Sequence, residues 1–298
     1  MSWEQARELA GKGTISEDYL LEAVVISDCN SDNMALNHNV SYNEVDVTES
    51  AGTAYVQKED GSQGFCLKFI DPDDNILVKG TAVSINLRGL RIDKYAEPER
   101  YVISNVRADC VVKSSQGIIE KKERRISELT DLDIYTWVTL VDTEIYCKYG
   151  AYTNVFEDYA LSSSINSMCS GNKNRFDGWA TLLVDAYGSA IYAPVNMMCL
   201  WRRGTDVTVP ILVPQGSGPT EGIIVSENNL RYGDMGRYQI RVVDESGFRQ
   251  SKDGASAYTE YVRYNGQPYS YRYGQYVAIN AKYAAPSGLE ARMRQVIP

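Results

Sequence analysis

Apolar and polar residues alternate along this chain with the period of two that marks β-strands, and Gly, Asn, Asp and Pro interrupt the alternation at short intervals. Thr81-Ala-Val-Ser-Ile-Asn-Leu-Arg88 shows the pattern most cleanly and places Val83, Ile85 and Leu87 on one face. Tyr19-Leu-Leu-Glu-Ala-Val-Val-Ile-Ser27 is a β-branched run that ends in a polar loop. Gly52–Gln57 and Gly64–Ile70 flank Lys58-Glu-Asp-Gly-Ser-Gln63, which reads as a hairpin turn; Asp71-Pro-Asp-Asp-Asn75 reads as another turn, and Arg100–Arg107 as a further strand. Met1 to Leu9 departs from this pattern: Ser2 as N-cap with Gln5 three residues on predicts a short amphipathic helix. That opening does not read as a signal peptide, so the expectation is a soluble chain or the mature portion of a longer one. Short strands turning at regular spacing predict a small Greek-key barrel.

Ile119-Glu-Lys-Lys-Glu-Arg-Arg-Ile126 breaks the pattern with a run of charges, and a short helix is expected at Ile126–Leu129. The strand pattern then restarts at Ile134–Val141 and continues through Trp179–Asp185, Ala190–Ala193, Asp206–Pro210, Thr220–Ser226 and Arg237–Val243. Gly64–Asp71 is echoed by Gly236–Asp244, and Gly80–Leu87 by Gly274–Ala281, as two copies of one plan would be. Near the end, Tyr258–Tyr264 and Gln267–Tyr273 flank Asn265-Gly266, the pair that suits a type I′ hairpin turn. The expected fold is all-β: two tandem OB-like Greek-key barrels with a short N-terminal helix and a C-terminal β-hairpin extension. The expected division is residues 1–114, a linker at 115–126, and an enlarged second unit at 127–298.

Composition modifies this picture in three places. A length of 298 residues favours two cores over one. The surplus of 22 tyrosines over 5 phenylalanines suits half-exposed β surfaces, because tyrosine offers an apolar face and a hydroxyl that tolerates water. A net charge of −9 argues against a general nucleic-acid binder, whose affinity comes from cations on phosphates. The charge is uneven, since ten Lys/Arg against six Asp/Glu after residue 229 leave that region basic. The six cysteines form no Cys-x-x-Cys pair, which disfavours zinc knuckles and redox motifs; mostly reduced, buried thiols are expected. No apolar run approaches the length of a membrane span.

Candidate chemistry is sparse. His38 is the only histidine and lies in an Asn-rich loop, so neither a multi-His metal site nor a Ser–His or Cys–His pair is expected. Asp71-Pro-Asp-Asp-Asn75 imitates the start of a calcium loop, but Ile76 and Ala82 stand where an EF-hand needs Gly and Glu. Gly216-Ser-Gly218 resembles a phosphate loop, yet Pro219 follows and no Gly-Lys-Ser/Thr ending exists, so a plain loop is expected. Glu97 and Glu99 flank Pro98 as an ordinary acidic hairpin loop. Trp137 and Trp179 are expected in the core. The candidate ligand contacts are Tyr269, Tyr271 and Tyr273, which share one face of the tail hairpin, and the Trp201-Arg202-Arg203 cluster. The favoured expectation for the tyrosine row is docking on the second barrel, with stacking on sugars, bases or a partner as its functional alternative.

The order Ile15–Asp28 followed by a Gly-x-x-Val-x-Ile-x-Leu-x-Gly-Leu motif from Gly80 to Leu90 resembles a domain-of-unknown-function family found in surface lipoproteins of Bacteroidetes. In that family a second module follows, similar to the OB-like module of some extracellular nucleases; its features correspond here to Trp137–Asp142, Gly188–Tyr192, Pro214–Val225 and Tyr238–Asp244. The resemblance covers roughly residues 1–250 and leaves the long loop at 160–174 and the tyrosine-rich tail without counterparts. It implies export and lipid anchoring, the anchor lying outside this sequence, and it implies no catalytic residues. The expectation is therefore a non-catalytic, cofactor-free, extracytoplasmic surface-associated binding or adhesion protein for a glycan or protein ligand. An oligonucleotide-binding OB protein and a carboxylate-based hydrolase are the alternatives, and nucleic acid is disfavoured by charge.

Overall fold

The computed structural model describes residues 1–31, 33, 51–146, 181–185, 189–195, 217–226 and 236–251. Chain entry is a helix, α1 (Trp3–Glu8). Its Ser2 hydroxyl accepts from the Gln5 amide at 3.1 Å and the Gln5 side chain accepts from the Ser2 amide at 2.9 Å, the reciprocal cap that the sequence predicts. Trp3 and Ala6 face inward; the Trp3 ring stacks on Phe65 at 5.0 Å and its indole N–H donates to Glu22 O at 3.0 Å. The helix thus seals the end of the first barrel.

The first unit is a seven-stranded sheet made of β1 (Leu20–Val25), β2 (Thr53–Gln57), β3 (Gly64–Phe69), β4 (Thr81–Asn86), β5 (Arg91–Ala96), β6 (Glu99–Val106) and β7 (Val111–Gln116), ordered β5-β6-β3-β2-β1-β4-β7. β3 and β6 run parallel; β4 pairs with β1 while β5 pairs with β6. The consecutive strands β4 and β5 together take the place of a single fourth strand, divided by the turn at Leu87–Leu90. Gly89 permits that turn with a positive φ of 82°. Hydrogen bonds from Ile15 N to Leu90 O and from Gly89 N to Ile15 O stitch the turn to the segment ahead of β1. Val83, Ile85 and Leu87 are fully buried, as their alternation predicts, in a core with Leu21, Phe65, Leu67 and Ile103.

The second unit comprises β8 (Lys122–Arg124), β9 (Trp137–Tyr146), β10 (Thr181–Asp185), β11 (Ala190–Ala193), β12 (Ser217–Val225) and β13 (Gln239–Arg241). Pairings β9–β10–β11–β13–β12–β9 close a five-stranded barrel with β11 and β13 parallel, and β8 lies parallel to β9 outside it. The strand order 1-2-3-5-4-1, shared with the divided first unit, makes this a tandem of OB-like barrels.

Three sequence readings are corrected by this topology. Residues 64–71 and 236–244 are not equivalent, because β3 is the third strand of its unit and β13 the fifth of its own. The glycine run beginning at Ser217 is the strand β12, not a loop. Its glycines admit neighbouring backbone: a Cβ on Gly218 would lie 2.4 Å from Arg249 O, and one on Gly222 would lie 2.4 Å from Arg241 O. Pro219 is tolerated at the register shift between Gly218 and Thr220. The charge run at 119–126 is also structured. It contains β8, whose Lys122 and Arg124 pair with the buried Asp133 at 2.9 and 3.4 Å. The expected helix at Ile126–Leu129 is a single 3-10 turn over Ile126–Glu128. The tail hairpin lies outside the described residues.

The two cores are not independent. Ala54, Val56, Phe65 and Leu67 of the β2–β3 hairpin point into the first core, while Tyr55 and Cys66, on the opposite face, join the second. Tyr55 stacks on Tyr135 at 5.3 Å. Gln57 is fully buried; its Nε2 donates to Glu120 O at 2.8 Å and its Oε1 accepts from the Trp137 amide at 2.8 Å. Gly64 lies flat on Tyr135, where any Cβ would fall 1.8 Å from the Tyr135 carbonyl oxygen. Gly64→Ala should therefore destabilise the protein by about 1–3 kcal/mol or more through overpacking. Urea unfolding checks this, and a midpoint unchanged from wild type would show that the hairpin does not sit on Tyr135.

Candidate functional site

Docking the two barrels leaves a cleft of about 630 Å³ at the rim of their interface. One wall is Lys79 and Gly80, just before β4, with Gln116 and Gly117 at the end of β7. The connecting segment supplies Ile119 and Lys121, and the far wall is Glu221 on β12 with the 243–249 segment after β13. Trp137, the first residue of β9, lies between them.

Trp137 is in the core as the sequence predicts, with 5% of its surface exposed. It also organises the cleft. The Lys79 ammonium sits 5.1 Å from the ring centroid and that of Lys121 6.0 Å, both within the range of a cation–π contact. Lys79 is 3.5 Å from Asp244, and Lys121 is 2.7 Å from Glu221, which Arg249 also meets. Three cations against two carboxylates leave the cleft with one net positive charge in a chain of net charge −9. The indole Nε1 is buried and has no hydrogen-bond partner among the described residues.

Both carboxylates stay ionised. Burial acts to raise the Glu221 pKa, but hydrogen bonds from Lys121 and Arg249 outweigh it and hold the group below its ordinary value. At Asp244 burial is likewise outweighed, by hydrogen bonds from Ser246 and the charge of Lys79. The cleft thus presents fixed cations and hydrogen-bond acceptors.

Other acidic clusters serve the fold. Asp71 accepts from the Asp73 amide at 3.0 Å and Asp74 from the Ala108 amide at 3.0 Å, so the segment resembling a calcium loop is a capped 3-10 turn. Among the described residues no group of three or more His, Cys, Asp or Glu is placed to hold a metal ion. Glu97 and Glu99, on either side of Pro98, are engaged by Arg237 at 2.8 Å and Lys94 at 2.6 Å. Arg237 also reaches Asp131 at 2.7 Å, and Tyr238 donates to Asp131 at 2.6 Å. This network ties the β5–β6 hairpin to the second unit.

Tyr269, Tyr271, Tyr273, Trp201, Arg202, Arg203 and His38 lie outside the described residues, as do Cys147, Cys169 and Cys199. Cys66 and Cys110 are buried, Cys110 as a free thiol, while Cys29 is free and exposed. Sequence reasoning missed the cleft because its residues come from five separate segments. The one local signal was the pair of lysines, Lys121 and Lys122, in a charge run that leads to a tryptophan-bearing strand. No family model, curated protein or solved structure matches the chain.

The Asp131 network gives a pH test of the inter-barrel latch. Burial acts to raise this carboxyl, but hydrogen bonds from Arg237 and Tyr238 bring it down from 3.8 to about 2. A carboxyl depressed in the folded state contributes stability that is fully present above its unfolded pKa and is lost as pH falls through the folded one. The stability difference between wild type and Asp131→Asn should therefore be constant above about pH 5 and shrink progressively toward about pH 2. Denaturant titrations across that range check it; a difference that does not change with pH would show that the carboxylate is not engaged.

Proposed function

We propose that this chain is a non-catalytic binding module, associated with a cell surface outside the cytoplasm, and that its ligand occupies the cleft between the barrels. The observation that carries this reading is the pair of ammoniums, Lys79 and Lys121, held over the Trp137 ring in a cleft of small-molecule size. Surface association rests on the resemblance of residues 1–250 to surface lipoproteins.

Two further observations favour binding over the alternatives. A carboxylate hydrolase needs one carboxyl group with a raised pKa to serve as general acid. Glu221 and Asp244 are both shifted the other way. OB barrels commonly take oligonucleotides across the face of their second and third strands. In the first barrel the outward face of β2–β3 meets the second unit at Tyr55, Gln57 and Cys66, all of them buried.

A glycan and nucleic-acid array with the full chain tests the proposal, followed by Lys79→Met and Lys121→Met. Loss of one charge-assisted contact should weaken a cleft ligand by about tenfold or more per substitution. An array without hits, or hits that survive both substitutions, contradicts the cleft as the site. A nucleic-acid hit with steep salt dependence favours the oligonucleotide reading.

A further inference from the structure

The cleft presents two signs of charge at close range, and this restricts what fits it. Lys79, Lys121 and Arg249 are between one third and one half exposed, so their donors can reach a ligand. Asp244 is equally open, with half its side chain exposed, while Glu221 is recessed behind Lys121 and Arg249. An inorganic anion would use the cations alone and would be repelled by Asp244. A neutral polyol would satisfy the carboxylates and leave the surplus cation unmatched. A ligand carrying two or more charges at one point, such as a nucleotide phosphate, exceeds the single positive charge available.

Trp137 narrows the choice further. With two ammoniums over its ring and little surface exposed, it is the fixed seat that positions Lys79 and Lys121, and not an open platform for stacking a base. The ligand is therefore held by polar contacts around its rim: hydroxyl donors for Asp244, and one carboxylate or sulfate for the lysines and Arg249. Gly80 brings bare backbone to one wall, where a Cβ would meet nothing closer than Gly117 O at 4.0 Å.

We infer that the cleft recognises an acidic saccharide, holding one sugar ring whose single anionic group lies beside free hydroxyls while further rings of the chain extend outside the cleft. This rests on the proposal that the cleft is the binding site.

Calorimetric titration of the full chain with trigalacturonate tests it, set against galactotriose, AMP and inorganic phosphate. Trigalacturonate should bind at least tenfold more tightly than galactotriose. Lys121→Met should remove most of that preference and Lys121→Arg should restore it, with circular dichroism verifying that both variants fold. Asp244→Asn separates sugar from simple anion: it should strengthen phosphate binding by removing a repelling charge. It should also lower the preference for trigalacturonate over phosphate at least threefold, because a neutral amide oxygen replaces the charged two-oxygen acceptor for its hydroxyls. If AMP or phosphate binds more tightly than trigalacturonate and Lys121→Met still abolishes that binding, the saccharide assignment is overturned while the cleft remains the site. If no probe binds in a manner sensitive to Lys121, both the assignment and the cleft reading fail.

Discussion

Gln57 is fully buried, yet both ends of its amide are satisfied, by Glu120 O on one side and the Trp137 amide on the other. A buried amide without such partners would cost about 1–3 kcal/mol, so its place in the fold depends on the second barrel being there. The same holds for the hairpin that carries it. β2 and β3 have two buried faces, one filling the first barrel and one lying against Tyr135 and Trp137, with Gly64 permitting backbone contact that no side chain would allow. The two OB-like units are thereby fused through a strand pair that belongs to both cores.

The remaining geometry follows from that docking. It sets the 117–121 connection across the mouth of the interface. There Lys121 reaches Glu221, and Lys122 and Arg124 reach Asp133. It places Lys79, from the first unit, over a ring that starts a strand of the second. Outside the cleft Arg237 joins Glu97 and Asp131. Because each ion pair at the cleft is at least partly exposed, its contribution to stability is small. The value of these charges lies in the fixed pattern of donors and acceptors that they present.

Local signals were readable wherever a residue's role is decided by its near neighbours. The Ser2–Gln5 capping box, the hairpin around Lys58–Gln63 and the inward face of Val83, Ile85 and Leu87 are all of this kind, and the barrels follow from them. Roles decided by distant chain were not. The glycines of β12 resembled a phosphate loop because the reason for them, the backbone at 241 and 249, lies some twenty to thirty residues away in sequence. The charges at 119–126 read as solvated because their partners, Asp133 and Glu221, do not announce themselves. Trp137 was legible as core; the two lysines above it were not legible as its companions, since Lys79 belongs to the other barrel.

The claim that the barrels form one cooperative body through the β2–β3 face is tested most directly at the Trp137 backbone amide, which donates to the Gln57 side chain across the interface. Native-state hydrogen exchange reads this bond alone. The account predicts that the Trp137 amide exchanges only through global unfolding, with the same free energy and denaturant dependence as amides of β3 and β12. Exchange through a smaller opening, with a shallower denaturant dependence than those core amides, would mean that the barrels separate while each stays folded, and would contradict it.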